Sequence, residues 1–247
     1  MTLLRCPRPR PGATTRLVCF AHAGGSAVAY REWPALLPDS VELHGVQLPG
    51  RADRFAEPFP ESLDALAAEI AGALAPLLDR RVALFGHSMG ALLAYEVTRL
   101  LEAQGLGPVR LFVSGCPAPH EPRERRRFSE YDDDRLVAEL ARLGGSEPAV
   151  LSHRGMREVI LPYVRGDFRL IEDHRSRPGP PLRTPISAFV GEADPVVTAA
   201  QAKSWEACTV SGFTLTTFPG DHFYLQPLRE RVVAEVVQMM SAKQSGR

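Results

Sequence analysis

The chain has 247 residues, of which 45% are hydrophobic, and its 29 Asp and Glu residues balance its 29 Lys and Arg residues. This length and composition suit one α/β domain built on a single core. The formal net charge of zero argues against nucleic acid or a membrane surface as a partner. No uninterrupted apolar run approaches the roughly 18 residues that a transmembrane helix needs.

The N-terminal segment and the cysteines bear on location and cofactors. Residues 1–7 contain no apolar stretch long enough for a secretion signal, so we expect a cytoplasmic protein. The four cysteines show neither C-x-x-C nor zinc-ligand spacing. We therefore expect reduced thiols, with no metal and no other cofactor.

Strands and helices are predicted to alternate along the first half of the chain. Residues 5–13 are rich in Pro and Arg, and we expect them to be extended and loosely held. The first core strand, at 17–20, is wholly apolar, as expected for a strand buried on both faces of a parallel sheet. Next in chain order come a helix near 28–37, a strand at 41–48, a helix at 62–78 with Ser62 as its N-cap, a strand at 82–85 and a helix to about 104.

The second half of the chain contains a long interval between two predicted strands. The strand at 109–114 is followed by one at 186–190, about 70 residues later, which is far beyond a normal connection. We expect residues from about 117 to 176, with helices at 132–143 and 155–172, to form a lid inserted over the carboxyl edge of the sheet. A helix near 198–207, a strand at 213–218 and a helix near 228–241 complete a single α/β domain, with a mainly parallel sheet and helices on both faces.

The turn at residues 86–90 carries the clearest functional signal. Gly86-His87-Ser88-Met89-Gly90 lies between an apolar strand and an apolar helix, so Ser88 stands at the apex of a strand–turn–helix. G-x-S-x-G in this context is typical of the nucleophile elbow of an α/β-hydrolase. Glycines flank the serine because a Cβ there would collide with the neighbouring strand and helix. We therefore predict the α/β-hydrolase fold, with Ser88 as the catalytic nucleophile.

The acid and the base of a catalytic triad should follow Ser88 in that order along the chain. Asp194 lies directly after the strand at 186–190, and we predict that it is the triad acid, with Glu192 as the alternative. His222 follows the strand at 213–218, and we predict that it is the general base that activates the serine hydroxyl. A turn aspartate before proline is the other interpretation of Asp194, and a structural or solvated histidine is the other interpretation of His222.

The oxyanion of the tetrahedral intermediate requires preorganised hydrogen-bond donors. One should be the backbone N–H of Met89, the residue after the nucleophile. The second should come from the loop after the first core strand, where His22-Ala23-Gly24-Gly25 can bring its backbone close. We predict the N–H of Ala23 as this donor; a plain tight turn is the alternative interpretation of the two glycines.

Taken together, the chain resembles the type II thioesterases of polyketide and non-ribosomal peptide synthesis. The matching segments span residues 16–225, and the Gln-Leu-Pro-Gly-Arg-x-x-Arg segment is the most specific of them because generic hydrolases lack it. These segments are Phe20-Ala21-His22-Ala23-Gly24-Gly25, Gln47-Leu48-Pro49-Gly50-Arg51-Ala52-Asp53-Arg54, Gly86-His87-Ser88-Met89-Gly90-Ala91, Asp167-Phe168, the Gly191 to Asp194 turn, and Gly220-Asp221-His222-Phe223.

This resemblance implies a discrete enzyme that acts in trans on acyl or peptidyl carrier proteins. Such enzymes remove stalled, decarboxylated or wrong acyl groups from the phosphopantetheine arm, under a mobile helical lid. Their carriers present an acidic helix beside that arm, so we expect a basic docking cluster on the enzyme. Arg125, Arg126 and Arg127, with Arg123, are the candidates; Arg51 and Arg54 are a second possibility, and a solvated charged face is the other interpretation.

Other functions remain open at this point. A general carboxylesterase or lipase would use the same triad, and an acyltransferase would pass the acyl group from Ser88 to an alcohol or amine instead of water. A non-catalytic binding protein on a hydrolase fold is disfavoured because Ser88, Asp194 and His222 are all present. A releasing domain excised from a larger synthase is a further possibility.

Overall fold

One seven-stranded sheet forms the centre of the computed structural model, which describes residues 3–122, 126–144 and 153–241. The strands are β1 (Leu4–Arg5), β2 (Thr15–Phe20), β3 (Val41–Val46), β4 (Arg81–His87), β5 (Arg110–Ser114), β6 (Ile186–Gly191) and β7 (Phe213–Phe218). The α-helices are α1 (Leu63–Leu74), α2 (Met89–Ala103), α3 (Asp133–Leu143), α4 (Arg154–Asp173), α5 (Ala199–Lys203) and α6 (Arg229–Ser241). Within the described ranges, no helix is both long enough and apolar enough to cross a membrane.

The strand order places the candidate site. The order is β1-β3-β2-β4-β5-β6-β7, and all neighbours are parallel except the edge pair β1–β3. The mainly parallel sheet predicted from the sequence is therefore confirmed. The chain runs from β2 to β3 on one side and then to β4 on the other, so the order reverses at the β2–β4 pair. Ligands of open α/β sheets bind beyond the carboxyl ends of the strands at such a point. The loop with Ala23 follows β2, and Ser88 follows β4.

Alternate side chains of the central strands feed two apolar clusters, one on each face of the sheet. Val18 and Phe20 of β2 belong to the cluster that includes α1 and α2, whereas Leu17 and Cys19 belong to the cluster that includes α6. Helices therefore cover both faces, and β2 is buried along its whole length. Each such side chain contributes about 1.5–3 kcal/mol when it leaves water. This double burial is the reason why the stretch at 17–20 of this strand is continuously apolar.

The predicted helix near 28–37 is wrong. Two short 3₁₀ turns, Ala27–Tyr30 and Trp33–Ala35, occupy this segment instead. Pro34 stands at the start of the second turn. A proline lacks the N–H that a continuous helix needs and disfavours helical angles at the residue before it, so the helix breaks here.

The N-terminal segment is held far more firmly than the Pro- and Arg-rich sequence suggests. Leu4 and Arg5 pair with β3, and Arg10 is 8% exposed. The Arg10 guanidinium donates hydrogen bonds to the carbonyl oxygens of Pro34, Leu37 and Val41 at 2.7, 3.1 and 2.7 Å. The expectation of a loosely held segment is wrong because the pairing with β3 and the buried Arg10 attach it to the chain between Pro34 and Val46.

The other predicted elements are present with shifted ends. Ser62 caps α1 by accepting a hydrogen bond from the N–H of Ala65, as predicted. The helix ends at Leu74 and continues only as the 3₁₀ turn Ala75–Leu77, which contains a proline. The helix predicted near 198–207 is α5 followed by the 3₁₀ turn Ser204–Cys208. The strand predicted at 41–48 ends at Val46.

The interval between β5 and β6 carries α3 and α4, which share an apolar cluster of their own. Its buried members are Leu136 and Leu140 of α3 and Leu161 and Val164 of α4, with aromatic side chains packed around them. This cluster is distinct from the two sheet clusters, and α4 reaches the α1–α2 cluster near its end, through Leu170 and the partly buried Ile171. The two helices thus form a unit with its own small core.

Candidate active site

Ser88 occupies a strained turn between β4 and α2. Its backbone angles are φ 55° and ψ −119°, a region that a residue with a Cβ rarely adopts. The N–H of Ser88 donates to the carbonyl of Ser114 at the end of β5, at 2.7 Å, and the N–H of Ala91 donates to the carbonyl of Ser88. The strain is therefore held in place by the sheet on one side and the helix on the other.

The glycines that flank Ser88 are required by close backbone contacts. A Cβ at Gly86 would lie 2.1 Å from the carbonyl oxygen of Gly90, and a Cβ at Gly90 would lie 2.2 Å from the carbonyl oxygen of Phe20. Both separations are below what any real Cβ contact shows. The steric reason given from the sequence for these two glycines therefore describes the turn correctly.

The loops after β6 and β7 bring Asp194 and His222 together. Asp194 Oδ2 lies 2.8 Å from His222 Nδ1, and the two side chains are 0% and 3% exposed. The two loops approach closely because residue 191 is a glycine: a Cβ there would lie 2.3 Å from the carbonyl oxygen of Asp221. The imidazole thus has its Nδ1 side occupied by a buried carboxylate, which leaves Nε2 for other chemistry.

The Asp194 carboxylate is fixed by backbone donors. Its Oδ1 accepts hydrogen bonds from the N–H groups of Val196 and Val197, at 2.8 and 3.2 Å, while Oδ2 faces His222. Glu192, the alternative acid, is exposed. The structure therefore brings Asp194, and not Glu192, to the imidazole.

His222 stands beside the elbow. Its ring centroid is 4.9 Å from that of His87, the residue before Ser88. Among the hydrogen bonds of the described residues, none joins Ser88 to His222. Contacts between a nucleophile and its base are often looser without substrate and tighten when it binds.

The two predicted oxyanion donors follow β2 and β4, the pair of strands at which the strand order reverses. Met89 is the first residue of α2 and 2% exposed, so its N–H has no partner inside the helix. Ala23 lies in a turn closed by a hydrogen bond from the N–H of Gly25 to the carbonyl of His22, at 2.9 Å. That turn does not use the N–H of Ala23, and in the described part of the chain no acceptor is bonded to it.

A polar network behind the elbow was not predicted from the sequence. Ser114 Oγ lies 2.9 Å from His87 Nδ1 and 2.6 Å from the hydroxyl of Tyr224. Burial raises the pKa of Tyr224 well above its ordinary value, so the hydroxyl stays protonated. The network joins β4, β5 and the His222 loop. No motif marks Ser114 or Tyr224, because each becomes a partner only when the strands are paired.

His22 and His87 are neutral near the candidate base. Burial, followed by the influence of His222 and Arg51, lowers the pKa of His22 to about 4. Burial, followed by the influence of His222 and His22, holds the pKa of His87 well below 6.5. At neutral pH neither ring therefore adds a positive charge beside the candidate base.

The arginines considered for docking differ in their surroundings. Arg51 and Arg54 are 3% and 5% exposed, so they do not form a docking surface, and the second possibility raised from the sequence is wrong. Arg127 is exposed but paired with Glu130 and Asp173, at 2.6 and 2.9 Å. Arg123 and Arg125 lie outside the described residues.

Among the residues that the structure describes, two groups of ligand-type side chains lie away from this site. Glu42 anchors one of them and Glu96 the other, and each of these carboxylates already bonds an arginine side chain, at 3.4 and 3.0 Å. Their charge is thereby neutralised within the protein, which weakens the case for a metal ion. The groups are Cys6, Glu42 and His44, and Asp64, Glu96 and His174.

The fold and the strained serine turn at its switch point define an α/β-hydrolase. A family model described as "Thioesterase domain" matches residues 15–243. The chain therefore belongs to the thioesterase family, whose members are hydrolases.

Named relatives agree with this assignment. The chain is 39% identical over 237 residues to a probable cadicidin biosynthesis thioesterase of Streptomyces griseus, an alignment that covers 96% of this chain and 65% of that protein. It is 38% identical over 219 residues to thioesterase PikA5 of Streptomyces venezuelae, which covers 88% of this chain and 78% of that protein.

Solved structures give the same picture. The type II thioesterase BorB from the borrelidin biosynthetic cluster superposes with a TM-score of 0.90 at 40% identity, over 96% of this chain and 97% of that one. YbtT, a type II thioesterase from the yersiniabactin pathway, superposes with a TM-score of 0.86 at 35% identity, over 96% and 97%. The resemblance to type II thioesterases found in the sequence is confirmed.

Proposed function

We propose that this chain is an editing thioesterase that hydrolyses stalled or aberrant acyl groups from the phosphopantetheine arm of acyl or peptidyl carrier proteins. Ser88 is the nucleophile, His222 the general base and Asp194 the acid that orients it. The observation that carries the proposal is the buried Asp194–His222 hydrogen bond of 2.8 Å beside the strained Ser88 turn. The names of the relatives, which are thioesterases of polyketide and peptide pathways, support carrier-bound substrates.

In the acylation step, His222 Nε2 takes the proton of Ser88 Oγ while Oγ attacks the thioester carbonyl carbon. The carbonyl oxygen becomes negative and accepts hydrogen bonds from the N–H groups of Ala23 and Met89. The C–S bond then breaks, and the proton on His222 passes to the departing thiolate. A thiol has a pKa of roughly 8.5, far below that of an alcohol, so the sulfur leaves readily.

In the deacylation step, a water molecule replaces the thiol. His222 takes a proton from the water as the water oxygen attacks the Ser88 ester, and the same two N–H groups donate hydrogen bonds to the second oxyanion. Collapse of this intermediate returns the proton to Ser88 Oγ and releases the free acid. Asp194 keeps the proton of the neutral imidazole on Nδ1 and stabilises the imidazolium that forms in each step.

The unit of α3 and α4, together with the described residues beside it between 117 and 176, acts as the lid in this proposal; residues 123–125 and 145–152 lie outside the described part of the chain. It is supported by the separate apolar cluster that these helices share and by their position between β5 and β6. A lid with its own core can move as one body, so it can admit the acyl chain and then exclude water. Arg126, which is exposed, is a candidate contact for the acidic helix of the carrier.

The proposal is tested by comparing matched substrates that carry the same acyl group. These are an acyl-carrier protein, the corresponding acyl-N-acetylcysteamine thioester and the oxygen ester of the same acid. We expect conversion of the acyl-carrier protein to its free-thiol form, measured by intact-protein mass spectrometry, and a higher kcat/KM for the thioester than for the oxygen ester.

Two results would count against this function. Faster hydrolysis of the oxygen ester, with the acyl-carrier protein left intact, would indicate a general carboxylesterase. Formation of an ester or amide when alcohols or amines are added, in place of free acid, would indicate an acyltransferase.

A further inference from the structure

A buried ion pair connects the most specific sequence segment to α4. Arg51 Nη1 and Nη2 donate to Asp167 Oδ2 and Oδ1, at 2.5 and 2.6 Å, in a bidentate arrangement. The two side chains are 3% and 1% exposed, and they are 116 residues apart in sequence. A bidentate pair fixes both distance and orientation, so it defines how α4 sits on the sheet domain.

Both members of this pair also hold the loop that carries Ala23. Asp167 Oδ2 accepts the N–H of Gly24 at 2.7 Å, and Arg51 Nη1 donates to the carbonyl of Gly25 at 3.0 Å. The pair thus binds one donor and one acceptor of the two residues that follow Ala23. The pair therefore restrains the peptide that follows Ala23 and the peptide that follows Gly25.

α4 makes a second contact with the same loop. A Cβ at Gly24 would lie 2.8 Å from Val164 Cγ2, and Gly24 has a φ of +80°, so this position needs glycine for both reasons. Val164 and Asp167 are three residues apart on α4 and therefore face the same way. α4 packs against the loop through a methyl group and bonds it through a carboxylate.

Arg51 is itself held in place from several sides. Its Nε donates to the carbonyl of Pro49 at 3.3 Å, and its guanidinium lies 4.8 Å from the ring centre of Tyr163 on α4. Gly50, with a φ of +77°, makes the turn that directs Arg51 inward. A buried ion pair brings little net stability, since two charges lose their water, whereas its bidentate geometry fixes the orientation of the groups that it joins.

We propose that Arg51 and Asp167 are positioning residues that hold the N–H of Ala23 in the orientation needed to bind the oxyanion. The same contacts couple this orientation to α4, so the donor is in place only when α4 is docked on the sheet domain. The inference rests on the proposed role of Ala23 and deepens it. It assigns to the Pro-Gly-Arg segment a function inside the protein rather than at its surface.

The expected size of the effect follows from what the donor contributes. Loss of one oxyanion donor lowers kcat by about 10²–10³-fold, and a misplacement of about 1 Å lowers it by about 10²-fold. Breaking the pair leaves the N–H present but badly oriented. We therefore expect kcat to fall by about 10–100-fold, with KM changed by less than about threefold, because the donor acts on the transition state.

The test uses Asp167→Asn and Arg51→Lys, compared with Asp173→Asn. Asp173 lies on the same helix and pairs with Arg127, but both of these side chains are exposed, so the matched control should keep kcat within about twofold. Rates are measured on an acyl-N-acetylcysteamine thioester and on p-nitrophenyl acetate, and they are expressed per active site titrated to completion with a fluorophosphonate. Affinity for a trifluoromethyl ketone, which forms an oxyanion on the serine, should fall in proportion to kcat.

Unchanged kcat and unchanged ketone affinity per titrated site would overturn the inference, as would a rise in KM alone. If Asp167→Asn does not fold, the double variant Arg51→Gln with Asp167→Asn, which buries no charge, must show the same loss of kcat. If the wild-type chain cleaves p-nitrophenyl acetate but no thioester, the proposed function fails, while the ester rates of the variants still decide the role of the pair.

Discussion

Asp194→Asn replaces the carboxylate that orients His222 by an amide, and the side chain keeps almost the same shape. Asp194 Oδ1 accepts two backbone N–H groups, so the amide oxygen of Asn must take that position and its NH₂ group must face His222 Nδ1. Nδ1 then has to act as an acceptor, which moves the imidazole proton to Nε2. The imidazole would present an N–H to Ser88 and could no longer take its proton.

The expected loss is about 10⁴-fold in kcat, the magnitude that a wrong imidazole tautomer produces in a serine protease, or about 5 kcal/mol of barrier. Glu192→Gln is the matched control, since Glu192 lies two residues before Asp194, its side chain is exposed, and the substitution removes the same charge. It should keep kcat within about twofold. Steady-state hydrolysis of an acyl-N-acetylcysteamine thioester measures both variants, and thermal unfolding confirms that both are folded. An Asp194→Asn enzyme within tenfold of wild type, or a larger loss in Glu192→Gln, would refute this reasoning.

Three other perturbations address packing, pH and the lid. Gly86→Ala places a Cβ 2.1 Å from a backbone oxygen and should destabilise the chain by about 3 kcal/mol or more. Gly72→Ala meets open space in α1 and should stabilise the chain by about 0.5–1 kcal/mol. Equal Tm values for the two variants would contradict the close backbone contact at Gly86. The pKa of His22 is about 4 when folded and 6.5 when unfolded, so the unfolded chain gains a proton first as the pH falls. The free energy of unfolding should therefore be highest above pH 6.5 and fall by about 3 kcal/mol toward pH 4 because of this group. The prediction is wrong if the free energy of unfolding of His22→Gln, measured with urea, falls as steeply with decreasing pH as that of the wild type. Amide hydrogen exchange should be faster in α3 and α4 than in β4 and β5, and uniform protection would argue against a mobile lid.

Local sequence signals were sufficient for the parts of the fold that depend on short stretches of chain. The continuous apolar run at 17–20 indicated a doubly covered strand, and β2 is buried along its whole length. The spacing of Ser62 and the apolar residues after it identified the start of α1. The glycines around Ser88 indicated a turn without room for a Cβ, and the measured separations agree.

Local sequence patterns did not predict contacts between distant parts of the chain. The Arg51–Asp167 pair joins residues 116 positions apart, and nothing in either segment identifies the other as its partner. Arg10 lies in a stretch whose composition indicates a loose terminus, yet four carbonyl oxygens surround its guanidinium. In each case a buried charge finds partners that only the folded chain supplies.

The proposed mechanism passes the acyl group through Ser88 on its way from the carrier to water. Its most direct test is to mix the enzyme with an acyl-carrier protein, quench with acid at short times, digest, and analyse the peptides by mass spectrometry. We predict an acyl group on the peptide that contains Ser88, formed before free acid accumulates. We predict no such adduct in Ser88→Ala, which should also leave the carrier acylated. An acyl group on another residue, such as the half-buried Cys116, or full turnover by Ser88→Ala, would contradict it.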